Sequence, residues 1–88
     1  MIEKKFIIRS AEGLHLKPAQ SIVQAANDFP EAEIHILQDG GATDVKSILD
    51  LLSLGLAEGA EIHLKITGKR ASEALERLES VCKEEGLI

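Results

Sequence analysis

One short segment near the start of the chain carries residues that could hold a phosphoryl group. Gly13–Ala19 reads GLHLKPA, which places His15 and Lys17 directly before Pro18. Proline is tolerated in the first turn of a helix, where its missing N–H would have no partner, and it disfavours helical backbone angles at the preceding residue. We therefore predict a helix from Pro18, with His15 at or just before its N-terminus.

The start of such a helix would be a favourable place for an anion. The first backbone N–H groups of a helix lack intrahelical acceptors and carry partial positive charge, so they attract phosphate. An imidazole nitrogen is also a nucleophile that can take a phosphoryl group. The pattern alone leaves two interpretations of His15 open, because a histidine in such a loop is more commonly a solvated or capping residue.

A second motif begins 33 residues after Gly13, in Lys46–Gly55, which reads KSILDLLSLG. Ser47 followed three residues later by Asp50 is typical of a capping box. In that motif the serine hydroxyl accepts from a backbone N–H and the acidic side chain reaches back to the serine N–H. We predict a second helix that begins at Ser47 and ends at Gly55.

The apolar residues of this second helix cover more than half of its circumference at about 100° per residue. They are Ile48, Leu49, Leu51, Leu52 and Leu54. One interpretation is a short helix that buries several faces in the core. The other is that Leu49 and Leu52 form an exposed patch that docks partner proteins, since such patches often mark interfaces.

Composition limits what the chain can do. Its 88 residues predict one small domain over 1–88, with a core of aliphatic residues because aromatics are only 2% and Trp and Tyr are absent. Stacking on nucleobases is therefore nearly excluded. The formal net charge of −5 opposes binding to a polyanion. We expect no nucleic-acid partner.

The location of the protein can also be predicted. The chain opens without a secretory hydrophobic segment, and no apolar run approaches the roughly 20 residues of a membrane span. We expect a cytoplasmic monomer without membrane insertion. Cys82 is the only cysteine, so it cannot form an internal disulfide, and it falls on the apolar side of a predicted helix. We expect its thiol to pack rather than to react.

Alternation of apolar and polar residues predicts four strands. The first is Ile2–Arg9, with Phe6 and Ile8 facing inward. The others lie around Ala32–Ile36, within 42–45 after a hairpin turn at Asp39–Gly41, and from Glu61 to Gly68.

Helical spacing of apolar residues predicts two longer helices besides the one at Ser47. One runs from Pro18 to about Asn27, and the other is marked by apolar residues from Ala71 to Cys82, with Glu73 and Arg77 placed to form an i,i+4 pair. The resulting order, βαββαβα, predicts a two-layer α+β sandwich.

The remaining histidines suggest no further chemistry. His35 and His63 fall on outward strand positions, so a metal site with His15 would need three histidines from different faces to converge. We expect neither a metal nor another cofactor. No Ser/His/Asp arrangement or Walker-type phosphate loop is present, and only Glu12 lies close enough in sequence to orient His15. We do not expect a stand-alone enzyme.

Taken together, the GLHLKPA segment, the KSILDLLSLG segment, their spacing and the order of elements resemble the HPr family. These proteins are the histidine-containing phosphocarriers of the bacterial phosphoenolpyruvate:sugar phosphotransferase system, and the resemblance covers nearly the whole chain. It implies an open-faced β-sandwich, in which three helices lie on one face of a four-stranded antiparallel sheet.

The resemblance also assigns roles to residues. It implies that His15 is the phosphoacceptor and that Lys17 and the backbone N–H groups of Leu16 and Lys17 stabilise the phosphate. It further implies that Ser47 is a regulatory phosphorylation site. The docking surface for partners would be Ile48, Leu49 and Leu52.

The partners implied are enzyme I as donor and an enzyme IIA as sugar-specific acceptor, with an HPr kinase/phosphorylase and a catabolite-control transcription regulator acting through Ser47. Two alternatives stay open. The chain could be a regulatory interaction protein of this fold controlled by Ser47 phosphorylation, or a carrier for a nitrogen-type or dihydroxyacetone-kinase phosphotransferase system. Two positions depart from the usual family pattern: Lys17 replaces an arginine and Glu12 replaces a small polar residue.

Overall fold

A computed structural model describes residues 1–88 as four strands and three helices. Their order along the chain is β1 (Ile2–Ile7), α1 (Leu16–Asn27), β2 (Ala32–Gln38), β3 (Gly41–Asp44), α2 (Ile48–Leu52), β4 (Glu61–Gly68) and α3 (Ala71–Glu84). The predicted order of elements is confirmed. No helix is both long and apolar enough to cross a lipid bilayer.

The four strands form one antiparallel sheet in the order β1-β4-β2-β3. Ile66 of β4 lies opposite both Ile2 of β1 and Ile34 of β2, so β4 and β2 occupy the centre of the sheet. The hairpin between β2 and β3 turns at Asp39 and Gly40, whose φ angles of 50° and 81° are those that a two-residue hairpin turn requires. The predicted four-stranded antiparallel sheet is confirmed.

The core fills the space between the sheet and the helices. Alternate residues of the strands point into it, and it contains no buried polar or charged side chain. Its largest fully buried members are Ile8, Ile34, Leu51, Ile66, Leu78, Leu87 and Val45. Cys82 packs there as predicted, and burial raises the pKa of its thiol to about 12, so the reactive thiolate is disfavoured.

The start of α1 differs from the prediction. The helix begins at Leu16 instead of Pro18, so Lys17 is helical despite the proline that follows it. The first helical hydrogen bond runs from the Ala19 N–H to the His15 carbonyl over 3.1 Å. Pro18 is the third helical residue, where an N–H would have no intrahelical acceptor, so the helix loses nothing by containing it.

The end of α2 was also predicted wrongly. The helix stops at Leu52, and the N–H groups of Leu54 and Gly55 donate to carbonyls only three residues back, at 3.3 and 3.4 Å. Gly55 then takes a left-handed φ of 62°, which turns the chain away. The helix therefore has five residues, and the last apolar residue of the motif lies outside it.

The predicted ion pair between Glu73 and Arg77 is absent. Glu73 instead binds Arg70 at 3.0 Å, and Arg77 reaches Asp28 at the end of α1, at 3.5 Å. Arg70 also lies 4.7 Å from the centre of the Phe29 ring. Glu73 therefore pairs with the N-cap residue of its own helix, and Arg77 pairs with a residue at the end of α1, so the i,i+4 pair does not form.

Candidate functional site

His15 closes a tightly held loop, residues 8–15, which we call the β1–α1 loop. Its middle is a turn in which the Gly13 N–H donates to the Ser10 carbonyl over 3.0 Å, and Gly13 has a left-handed φ of 68°. The next residue, Leu14, donates to the Leu56 carbonyl over 2.9 Å. A Cβ at Gly13 would lie 2.5 Å from that same carbonyl oxygen, so only glycine fits where the loop meets the segment after α2.

The other end of the β1–α1 loop is fastened by the segment after α3. The Leu87 carbonyl accepts from the N–H groups of Arg9 and Ser10, at 2.9 and 3.3 Å. Leu87 itself is fully buried. Two separate parts of the chain therefore fix the loop that presents His15.

His15 is the N-cap residue of α1, as predicted, but its side chain makes no capping hydrogen bond. The imidazole remains 41% exposed. The backbone N–H groups of Leu16 and Lys17 have no backbone acceptor, so two donors at the positive end of a 12-residue helix directly follow His15 in the chain. Lys17 is exposed and takes part in none of the ion pairs.

Glu12 is brought back to His15 by the turn. Its Oε2 lies 3.4 Å from His15 Nε2. The spacing of three residues was the only sequence signal for this contact. A carboxylate and an imidazole thus share one side of the site, while the amide donors lie on the backbone of the next residues.

Ser47 occupies the equivalent position on α2, as its N-cap. Its hydroxyl accepts from the Asp50 N–H at 3.4 Å, which is the first half of the predicted capping box. The second half is not formed, because the Ser47 N–H donates to the Asp44 carbonyl at 3.2 Å instead of to the Asp50 carboxylate. The Ser47 N–H is therefore satisfied by a backbone carbonyl, and the Asp50 carboxylate takes no part in the cap.

Lys46, the first residue of the second motif, anchors this segment, a role that the sequence did not predict. Its half-buried ammonium donates to the carbonyls of Phe29 and Ala32, at 2.8 and 2.7 Å. Ser47 is thereby held against the turn between α1 and β2. Only the three-dimensional structure brings these carbonyls together, so no pattern in the sequence could have identified them.

The predicted docking residues divide between surface and core. Leu49 is 77% exposed, whereas Ile48 and Leu52 are half-buried against the core and Leu51 is fully buried. Leu16, beside His15, is also an exposed leucine, at 54%. Because α1 and α2 contact each other, these two helices form one connected surface.

The other two histidines lie elsewhere. His35 and His63 stand on the outer face of the sheet, where His63 Nε2 lies 2.7 Å from Glu3 Oε1 across strands β1 and β4. Nowhere in the chain do three or more histidine, cysteine or acidic side chains gather as metal ligands would.

Comparison with known proteins agrees with this architecture. The family model described as "PTS HPr component phosphorylation site" matches residues 2–84. The chain therefore belongs to the HPr family, whose members are phosphocarrier components of the phosphotransferase system.

The similar proteins include an HPr-like protein and two phosphocarrier proteins. The HPr-like protein Crh of Bacillus subtilis is 36% identical over 85 residues, which cover 97% of this chain and 99% of Crh. The histidine-containing phosphocarrier protein of Mycoplasma superimposes with a TM-score of 0.93 at 25% identity, over 99% of this chain and 98% of that one. The phosphocarrier protein HPr of Bacillus anthracis gives a TM-score of 0.80 at 36% identity, over 91% and 94%.

Proposed function

We propose that this chain is a cytoplasmic phosphocarrier that takes a phosphoryl group from enzyme I onto His15 and passes it to an enzyme IIA. The observation that carries the proposal is His15 itself. It is half-exposed, its side chain forms no cap, and it stands beside two backbone donors without backbone acceptors.

Phosphoryl transfer requires few groups on the carrier protein itself. An imidazole nitrogen attacks the phosphorus held by the donor, the new N–P bond forms as the donor's bond breaks, and a nucleophile on the acceptor later reverses the process. The amides of Leu16 and Lys17 and the Lys17 ammonium would hold the added negative charge. Positioning and electrostatics supply most phosphoryl-transfer catalysis, and partner proteins can contribute part of both.

We assign partner docking to Ile48, Leu49 and Leu52, with Ser47 as a regulatory phosphorylation site. Exposure of Leu49 supports this assignment, because an exposed leucine on a short helix contributes little to the core. A phosphate on Ser47 would add about −1.5 to −2 charge next to this surface. It would repel acidic partners and attract partners that offer arginine.

The test is transfer from phosphoenolpyruvate. The protein would be incubated with phosphoenolpyruvate and an enzyme I, and acid-labile phosphate would be measured on the parent and on His15→Ala. Labelling that requires His15 supports the relay. Absence of labelling on the parent, with an active HPr labelled in parallel, would reject it.

A second candidate is a regulatory interaction protein with little phosphate relay. It is favoured by the 36% identity to Crh, which is described as the catabolite repression HPr of Bacillus subtilis. In that case Ser47 phosphorylation would change binding to a transcription regulator while enzyme I left the chain unlabelled. The same labelling experiment distinguishes the two candidates.

A further inference from the structure

Each of the helices α1 and α2 has one exposed leucine that is followed directly by a charged residue. On α1 these residues are Leu16 and Lys17, and on α2 they are Leu49 and Asp50. Neither helix contains another charged residue. The two leucines are among only four large hydrophobic side chains that are exposed in the chain. The surface formed by the two helices therefore offers apolar contact and one charge of each sign.

The Asp50 carboxylate has no partner within the protein. Its N–H and carbonyl bond to the side chains of Ser47 and Ser53, but the carboxylate forms no hydrogen bond. It also takes part in none of the ion pairs. Lys46, four residues earlier, cannot neutralise it, because the Lys46 ammonium donates to two backbone carbonyls. The negative charge of Asp50 is therefore available to another molecule.

The positive charge on α1 already has a role in the proposed function, because the Lys17 ammonium would hold the phosphate on His15. Asp50 has no part in that chemistry. Its charge stands next to Leu49, which is 77% exposed and is the most accessible side chain of the predicted docking residues. A partner that covers Leu49 must therefore also face an unneutralised carboxylate.

We propose that Asp50 determines the charge of the partner that docks on α2. That partner presents an apolar contact flanked by arginine or lysine, and Asp50 selects it over a partner flanked by acidic side chains. This rests on the docking role proposed above for Leu49. Opposite charges across an interface favour the correct partner, whereas like charges that face each other penalise the wrong one. Asp50 thus acts permanently in the same sense as a phosphate on Ser47 would.

Two synthetic helical peptides test the proposal without any phosphoryl transfer. Both carry the same stripe of leucines, which is flanked by arginine in one peptide and by glutamate in the other. Each would be titrated at low salt into nitrogen-15-labelled protein. Amide chemical shifts then give the Kd of each peptide and the surface to which it binds. Thermal unfolding of every variant would be measured in parallel.

We expect the arginine peptide to bind about fivefold more tightly than the glutamate peptide and to shift the amides of α2. Asp50→Asn should reduce this ratio about threefold, whereas Asp50→Glu should keep it. The matched control is Asp39→Asn, which makes the same change in net charge at an exposed carboxylate at the opposite end of β3. It should leave the ratio unchanged. Leu49→Ala should weaken both peptides alike.

Two results would overturn the role of Asp50. If Asp50→Asn and Asp39→Asn change the ratio equally, the net charge of the protein sets the preference. If Asp50→Asn lowers the Tm but leaves the ratio unchanged, the carboxylate only stabilises the first turn of α2.

The same measurements separate this proposal from those on which it builds. If neither peptide shifts the amides of α2, the docking role of Leu49 is rejected together with the role of Asp50. If Leu49→Ala weakens both peptides but Asp50→Asn changes nothing, docking stands and Asp50 has no part in it. If the ratio depends on Asp50 but enzyme I does not label the protein, the relay is rejected and the charge preference stands.

Discussion

The two helix starts of this protein present a polar side chain in contrasting ways. His15 and Ser47 are both N-cap residues, but the His15 side chain caps nothing, whereas the Ser47 hydroxyl accepts from the Asp50 N–H. The first helix has 12 residues and the second has five. The His15 side chain makes no capping bond, so it can react without loss of such a bond. The Ser47 hydroxyl caps α2, so a modification of Ser47 would also affect the cap.

The two helix starts also differ in how they are fastened. Backbone bonds to Leu87 and Leu56 hold the β1–α1 loop. Backbone bonds also hold the Ser47 segment, from the Val45 N–H to the Ile34 carbonyl and from the Ser47 N–H to the Asp44 carbonyl. This segment has in addition a side-chain anchor, Lys46, which donates to the carbonyls of Phe29 and Ala32. We infer that the Ser47 segment is sensitive to a change at Lys46, whereas the β1–α1 loop has no comparable side-chain anchor.

The largest effect is expected from His15→Ala. Labelling from phosphoenolpyruvate and enzyme I should be abolished, because the nucleophile is gone. Stability should change by less than about 0.5 kcal/mol, because the half-exposed ring makes no capping bond. Acid-labile phosphate and thermal unfolding would be measured together, with His35→Ala and His63→Ala as matched controls. Undiminished labelling of His15→Ala would move the acceptor to one of those histidines.

The next effect tests how firmly the β1–α1 loop is fastened. Gly13→Ala should destabilise the protein by about 3 kcal/mol, because it combines a left-handed φ with a clash against the Leu56 carbonyl. Gly59→Ala is the matched control: it has a φ of 87° with nothing within 4 Å, so only about 1 kcal/mol should be lost. Urea unfolding measures both. Equal losses of stability in Gly13→Ala and Gly59→Ala would mean that the β1–α1 loop moves away from the Leu56 carbonyl without a cost in free energy.

Gly13 also illustrates what the sequence could predict. A turn glycine before His15 was evident, and alternation located the four strands and the inward faces of Phe6, Ile34 and Ile66 correctly. The contact of Gly13 with Leu56 was not predictable. It joins residues 43 positions apart, and the glycine by itself does not indicate which part of the chain lies against it.

The errors in helix limits have a similar origin. The rule for the residue before proline placed Lys17 outside α1, but the helix begins at Leu16, with the His15 carbonyl as its first acceptor, after a loop whose backbone is bonded to Leu87 and Leu56. The order of the strands in the sheet likewise depends on which apolar faces meet in space. The pattern of apolar residues predicts which segments form strands and helices. Tertiary contacts determine where these segments end and which strands pair.

On α2, exposed Leu49 and buried Leu51 allow partner docking and core packing to be tested separately. Leu49→Ala should weaken binding to enzyme I about tenfold, as loss of an interface side chain often does, while stability changes by less than about 0.5 kcal/mol. Leu51→Ala, two residues on and fully buried, should cost about 2 to 5 kcal/mol. Calorimetric binding and urea unfolding give the two quantities. A large stability loss in Leu49→Ala would place that leucine in the core.

Ser47 should show its two roles separately. Ser47→Ala removes the hydroxyl that accepts from Asp50 and should cost about 1 kcal/mol of stability. Ser47→Asp keeps an acceptor at the positive end of α2, so its Tm should stay within about 5 °C of the parent, while its added charge slows labelling by enzyme I at low salt. If Ser47→Asp unfolds the protein, or if labelling is unaffected at every ionic strength, Ser47 acts only as a helix cap.

The smallest effect is expected at Lys17. Its side chain is exposed and unpaired, so its ammonium can act as a point charge beside phosphorylated His15, whereas a guanidinium could grip the phosphate with two parallel N–H groups. Lys17→Arg should therefore leave labelling by enzyme I unchanged or make it a few times faster, while Lys17→Met, which removes the charge, should slow it. Both variants should be as stable as the parent, because no ion pair is lost. A fall of tenfold or more in Lys17→Arg, roughly 1.4 kcal/mol in transition-state energy, would mean that the site beside Glu12 is tuned to an ammonium.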